Sequence, residues 1–131
     1  MSDLGHFMQD LAEAMEVTFQ VSEGIYSFEM PTSGNRSQMV NVITRESSVG
    51  DEMILFYTTV GEAHDDIPWK GLLELNVGTI YARVGIIEGH VVVVAGQLRD
   101  SADVSEVITM LTEVGTLGDL LENMLFGEDR Y

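Results

Sequence analysis

The sequence predicts an α+β domain in which helices pack on an antiparallel sheet. Amphipathic helical patterns lie near both ends of the chain, and period-two strand patterns fill most of the region between them. Short turns join the first four strands, which favours antiparallel pairing because parallel strands need longer crossovers. Strands grouped in runs and flanked by helices are typical of this fold class. The predicted order is α-β-β-β-β-α-β-β-α, with about five to six strands in one sheet.

The first helix and the four strands after it follow from the spacing of apolar residues. On the helix these residues recur every three or four positions, at Leu4, Phe7, Met8, Leu11 and Met15. Ser2 or Asp3 is available as its N-cap. From Val17 the period falls to two, and strands are predicted at 17–21, 25–30, about 38–45 and 53–60. The fourth strand is too continuously apolar for an edge, so we expect it to lie centrally.

A second helix is predicted between the fourth and fifth strands. Asp66 suits its N-cap, and Pro68 suits its first turn, where the missing N–H of proline costs nothing. Gly78 is expected to end the helix. Its buried stripe is expected to consist of three apolar residues, Trp69, Leu72 and Leu73.

The C-terminal part predicts a hairpin and a long helix. Strands at Thr79–Ile87 and His90–Leu98 flank a turn at Glu88-Gly89, and the β-branched run 91–94 indicates packing on both faces. The helix covers Val104–Leu125, where Asp103 with Glu106 resembles a capping box. Two glycines, at 115 and 118, either break this helix or let another backbone approach closely. Residues 127–131 are expected to form a frayed tail.

Composition indicates one domain, residues 1–131, without cysteine chemistry. The 131 residues include 22 acidic, 6 basic and no cysteine residues, with a formal net charge of −16 and 45% hydrophobic residues. That hydrophobic fraction argues against disorder, which combines high charge with low hydrophobicity. A chain without cysteine has no disulfide framework, thiolate nucleophile or cysteine-ligated zinc. We find neither a bilayer-spanning segment nor a signal peptide, and expect a cytoplasmic protein that does not associate with membranes.

Surface chemistry favours a protein partner over nucleic acid. The six basic residues are scattered singly, whereas phosphate binding requires clustered Lys and Arg. The acidic surface suits a protein that binds apolar or basic polypeptide. Alternatively, the negative charge only keeps the domain in solution. Eight methionines exceed ordinary usage, and methionine is over-used at promiscuous binding surfaces. Met8, Met15 and Met53 are expected in the core, while Met30 and Met39 flank a loop and are expected to be more exposed.

No constellation of residues indicates catalysis, so we expect no enzymatic activity and no cofactor. A nucleophile elbow and a glycine-rich phosphate loop are both missing from the sequence. Of the three histidines, His6 and His90 suit surface positions, whereas His64 precedes Asp65 and Asp66 just before a helix. That cluster could ligate a divalent metal or orient a general base. Alternatively, the two aspartates only cap the helix and complement its dipole.

The whole pattern resembles the type III secretion chaperone-like fold. The best local matches are Trp69–Asn76, the hairpin at Thr79–Leu98 and the amphipathic helix at Val104–Leu125. This fold includes the bacterial class I chaperones of the CesT type and the YbjN-like proteins. The resemblance implies a homodimer that binds a polypeptide client or regulatory partner, without nucleotide or metal. Exposed sheet edges can accept a client strand while apolar pockets take its alternate side chains. The alternative is a small-molecule or metal-binding domain that uses His64, Asp65 and Asp66, and a third reading is a purely structural dimer.

Overall fold

A six-stranded antiparallel sheet with the strand order β1-β2-β3-β4-β6-β5 is the centre of the molecule. The computed structural model describes residues 4–32 and 36–127. Along the chain the elements are α1 (Leu4–Met15), β1 (Phe19–Ser22), β2 (Ile25–Pro31), β3 (Ser37–Glu46), β4 (Glu52–Glu62), α2 (Trp69–Gly78), β5 (Arg83–Ile87), β6 (His90–Leu98) and α3 (Val104–Phe126). The predicted α+β class and element order are confirmed. The predicted caps at Ser2 and Asp3 lie outside the described residues, as do positions 128–131 of the predicted tail.

The strand β4 lies in the interior of the sheet, as predicted from its apolar run. It pairs with β3 on one side and with β6 on the other, both antiparallel. Two hairpins close through Glu-Gly turns in which both residues have positive φ: 52° and 80° at Glu23 and Gly24, and 49° and 79° at Glu88 and Gly89. Two-residue turns of this conformation match the twist of the strands, and glycine adopts it without strain.

The long helix α3 crosses the sheet on one face without a break. It contacts β3, β4 and β6, and α1 packs beside it. A Cβ built on Gly115 would lie 2.6 Å from Met30 Sδ, and a Cβ on Gly118 would collide with Thr58 Cγ2. The two glycines therefore serve close approach between α3 and the sheet, which is the second of the two alternatives predicted. At the start of α3, Asp103 accepts a hydrogen bond from the Glu106 amide at 3.4 Å, which is one half of the predicted capping box, while the Glu106 carboxylate accepts from Gln97 Nε2.

Two predictions for α2 are wrong. Pro68 occupies the N-cap position without a side-chain capping bond, so Asp66 does not cap the helix. Leu72 is buried, whereas Leu73 is 68% exposed. Consecutive helical residues are about 100° apart around the axis, and α2 is rotated so that Leu72 and not Leu73 faces the core. Trp69 packs partly buried against the core, as expected. None of the helices described is long and apolar enough to cross a membrane.

Candidate functional site

In residues 4–32 and 36–127 the hydrophobic core cluster forms on one face of the sheet. The core takes alternate residues of the strands, for example Val42 on β3, Phe56 on β4 and Ala95 on β6, which lie side by side. All three described helices bury their apolar residues in this same core. Successive side chains of a strand point to opposite faces. The opposite face therefore has no helix packed on it within the described part of the chain.

This uncovered side, here called the open face, is apolar at its centre. Cross-strand rows place Ile43 beside Leu55, and Tyr57 beside Val94. The apolar residues of the open face are Met39, Ile43, Met53, Leu55, Tyr57, Val92, Val94 and Leu98. Met39 and Leu98 are 40% and 45% exposed, Val92 is only 2% exposed, and the other five are half-buried. A sheet face in water normally alternates polar residues outward, and contiguous apolar patches mark interaction sites. The open face is the candidate binding surface.

The two edges of the sheet are not equivalent. On the outer edge of β5, the Asn76 side chain donates from Nδ2 to the Val84 carbonyl at 3.2 Å and accepts from the Val84 amide at 2.7 Å. One amide side chain thus replaces a neighbouring strand at this residue. The opposite edge, β1, is four residues long, and its Val21 is 56% exposed. Strand addition is therefore obstructed at β5.

A second apolar surface lies on α2 and the segment after it. Three apolar side chains are exposed here: Leu73 at 68%, Val77 at 86% and Ile80 at 72%. Lys70 and Glu74 lie on the same side of the helix, one turn apart. We call these five residues the α2 surface. An open groove of about 600 Å³ adjoins it, with Ile80, Ile108, Leu117 and Leu120 among its lining residues.

The segment between α2 and β5 is fixed to α3 by one carboxylate. Glu113 Oε1 accepts hydrogen bonds from the amides of Tyr81 at 2.9 Å and Ala82 at 2.7 Å. Hydrogen bonds to a charged acceptor are stronger than neutral ones. This contact holds the α2 surface in a defined position relative to the rest of the fold.

The residues proposed for metal binding form a local turn. The Asp66 amide donates to His64 Nδ1 at 3.2 Å, and the His64 ring meets Phe126 edge to face with centroids 6.0 Å apart. Asp65 and Asp66 are exposed. No group of three or more His, Asp or Glu side chains in residues 4–32 and 36–127 could hold a metal ion. Among these residues, His64, Asp65 and Asp66 are therefore not brought together as a set of three ligands.

The methionines divide differently from the prediction. Met30 is only 7% exposed, because it packs under α3 at Gly115, so its predicted exposure is wrong. Met39 is exposed as expected. Met53 lies on the open face, half-buried, and not in the core.

One polar contact under α3 has no counterpart among the sequence predictions. Arg36 forms a salt bridge with Asp119 at 3.0 Å, and the Asp119 side chain is only 5% exposed. Nearby in the sequence, Glu122 is also buried, at 1%. The spacing of three residues places both carboxylates on one helix face, which is the signal that could have indicated them.

A likeness to a known structure supports the fold. A chain of the solved HopA1–SchA chaperone–effector complex matches with a TM-score of 0.56 and 15% sequence identity. The match covers 87% of this chain and 92% of that chain. The fold is chaperone-like. This confirms the predicted resemblance at the level of fold. No protein-family model matches the sequence, and a search of curated proteins gives no match.

Proposed function

We propose that this chain is a non-enzymatic, chaperone-like module of the cytoplasm that holds a polypeptide segment on its open face. The observation that carries the proposal is the apolar centre of a sheet face that no described helix covers, at residues such as Leu55 and Tyr57. A bound segment would act as the second layer of the sheet. Burial of apolar surface contributes about 25 cal/mol per Å², so even partial cover is favourable. The likeness to a chain of a chaperone–effector complex supports a polypeptide as the occupant.

A peptide array tests this function without a known partner. Peptides of about 12 residues with varied sequences suit it, because in extended form they span ~40 Å, close to the length of β4 with its 11 residues. The wild-type protein should bind a subset rich in apolar residues. Leu98→Glu should abolish that binding, since Leu98 lies on the open face.

A matched control is available on the helix side. Leu120 lies on α3 and is 49% exposed, close to the 45% of Leu98. Leu120→Glu should leave the array pattern unchanged, and circular dichroism should show both variants folded. Equal binding by wild-type and Leu98→Glu, or no bound peptide at all, would contradict the proposed function.

We propose further that the chain forms a homodimer through the α2 surface. The exposed apolar residues Leu73 and Val77 lie on the same side of α2 as Lys70 and Glu74, which are one turn apart. In a two-fold symmetric pair each patch meets its own copy, so Leu73 and Val77 of one copy pack against the same patch of the other. The local balance of charge between Lys70 and Glu74 is favourable for self-association of a chain with a net charge of −16.

Light scattering after gel filtration tests the dimer. The wild-type protein should elute as a dimer at micromolar concentration, and Val77→Glu should be monomeric with an unchanged circular dichroism spectrum. Val49→Glu serves as the control, since Val49 lies in the β3–β4 turn and is 81% exposed, and it should stay dimeric. A monomeric wild-type protein, or a dimeric Val77→Glu, would contradict the α2 interface without affecting the open-face proposal.

A further inference from the structure

The outer side of α3 carries no exposed charge between positions 109 and 124. Leu120 is 49% exposed and Met124 is 67% exposed. On α1, by contrast, Asp10 and Glu13 are exposed, which is the usual pattern for a surface helix. The exposed residues of this part of α3, here called the α3 stripe, are Thr109, Thr112, Thr116, Leu120, Asn123 and Met124.

The acidic residues in the same part of α3 lie on its inner side. Asp119 is 4% exposed and forms the salt bridge with Arg36, and Glu122 is 1% exposed. Glu113 is half-buried, and its Oε1 accepts the two amide hydrogen bonds described above. Burial of carboxylates is costly, and acidic residues are rarely buried unless they are paired. A chain with 22 acidic residues thus keeps the α3 stripe free of carboxylates at a cost in stability.

The groove beside α3 connects the α3 stripe to the α2 surface. Ile80 belongs to the α2 surface, whereas Thr112, Thr116 and Leu120 belong to the α3 stripe, and all four line the groove of about 600 Å³. The stripe, the groove and the α2 surface therefore form one continuous area on the helix side of the molecule.

The α2 surface by itself is too small for a stable dimer. Full burial of an aliphatic side chain removes about 60–120 Å² from water, so Leu73, Val77 and Ile80 supply about 200–350 Å² per copy. Stable interfaces bury about 800 Å² per partner. An interface that begins at α2 thus needs further surface, and the groove leads from Ile80 onto α3.

We propose that the α3 stripe and its groove form the larger part of the contact with a second copy of this chain, an inference that rests on the proposed homodimer. In a two-fold symmetric pair the same surface is used by both copies. Ile80 and Leu120 of one copy pack into the groove and stripe of the other. The inward position of Asp119 and Glu122 keeps their carboxylates out of this contact.

The absence of charge on the stripe favours a second copy over other occupants. Two chains of net charge −16 repel where their carboxylates face each other, and the α3 stripe adds none to the contact. A basic segment is attracted by exposed carboxylates, and nucleic acid by clustered Lys and Arg, so neither is selected here. Self-association on the helix side also leaves the open face available for its polypeptide segment.

Sedimentation equilibrium of charge variants tests this inference. Thr116→Glu should raise the dissociation constant of the dimer at least about tenfold, because two-fold symmetry places two new carboxylates in the contact. Thr116→Val adds no charge and should leave the protein dimeric. The matched control is Gln9→Glu, which adds the same charge at an exposed position of α1 and should stay within about twofold of wild type.

An introduced cysteine reports on the same surface, because the chain has no cysteine of its own. In Thr116→Cys the thiol should react with a maleimide at least about tenfold more slowly above the dissociation constant than below it, since the second copy covers it. Gln9→Cys should react at the same rate at both concentrations. This measurement decides the question even if Thr116→Glu does not fold.

The results separate this inference from the proposals on which it rests. If Val77→Glu is monomeric while Thr116→Glu dimerises as tightly as Gln9→Glu, the inference is overturned and the α2 interface stands. Equal reaction rates of Thr116→Cys at both concentrations overturn it as well. A monomeric wild-type protein overturns both the homodimer and this inference, while the peptide array decides the open-face function separately.

Discussion

The close approach of α3 to the sheet predicts that Gly118→Ala is destabilising, although it replaces a glycine in a helix interior. The new methyl group would collide with Thr58 Cγ2 and lie 3.6 Å from Thr58 Cβ. Thr58 cannot easily move, because its hydroxyl donates to the Met39 carbonyl at 2.6 Å and its strand is central.

The magnitude follows from two opposing contributions. Replacing glycine by alanine in a helix gains about 1 kcal/mol. Overpacking of a tight core contact costs about 1–3 kcal/mol, and this contact with a fixed β-branched side chain belongs at the upper end. The net loss in the free energy of unfolding is about 2 kcal/mol, which lowers Tm by about 6–8 °C for a chain of this size.

Urea unfolding followed by circular dichroism measures the effect against two other glycines. Gly71→Ala on α2 meets nothing within 4 Å and should raise the free energy of unfolding by about 0.5–1 kcal/mol. Gly115→Ala meets the flexible end of Met30, so its effect should be near zero. Adding Thr58→Ser to Gly118→Ala removes the colliding methyl group and should recover about 1 kcal/mol or more through the coupling of the two sites. If Gly118→Ala stabilised the protein as much as Gly71→Ala, the close-packing argument would be refuted.

Three other contacts give predictions of their own. Gly61→Ala would place a methyl group 2.6 Å from the Phe126 ring, so the end of α3 should detach from the sheet. NMR should then show a loss of ring-current shifts around Phe126. Unchanged shifts would contradict this. Glu113→Ala should lower the free energy of unfolding by about 2 kcal/mol and speed hydrogen exchange of the two amides that Glu113 holds. Glu113→Gln should have an intermediate effect. Equal effects of both variants would argue against a charged acceptor. Asn76→Ala should speed hydrogen exchange of the Val84 amide and promote aggregation by exposing a strand edge. If the Val84 amide stays protected in this variant, the Asn76 side chain does not close the edge of β5.

Local signals in the sequence predicted most of the elements. The apolar run of β4 indicated a central strand, and Glu88-Gly89 indicated a hairpin, because both depend on residues close in sequence. The choice between Leu72 and Leu73 needed the position of α2 against β5, which no local pattern contains. The prediction of Asp66 as N-cap was wrong because α2 begins directly after Pro68, which occupies the N-cap position itself.

The candidate site was visible only in part. The β-branched run at 91–94 indicated a strand with apolar residues on both sides, but the prediction assumed that both sides are covered. In the structure Val91 and Val93 enter the core, and on the other face Val92 is only 2% exposed, as predicted, while Val94 is half-buried. Which face the helices take depends on strand order and on the path of the chain between α2 and β5, and these are tertiary properties.

The two hydrogen bonds between the Asn76 side chain and Val84 also affect how the sheets of separate molecules can join. Asn76 occupies the outward amide and carbonyl of Val84, so copies that join through hydrogen bonds between strands meet an obstacle at the β5 edge. A pair joined through β1 has a β5 strand at each outer end, and both ends are closed in the same way. The obstacle at both outer ends disfavours growth of such a pair into a fibre. A single amide side chain on α2 thus works against strand pairing from one molecule to the next.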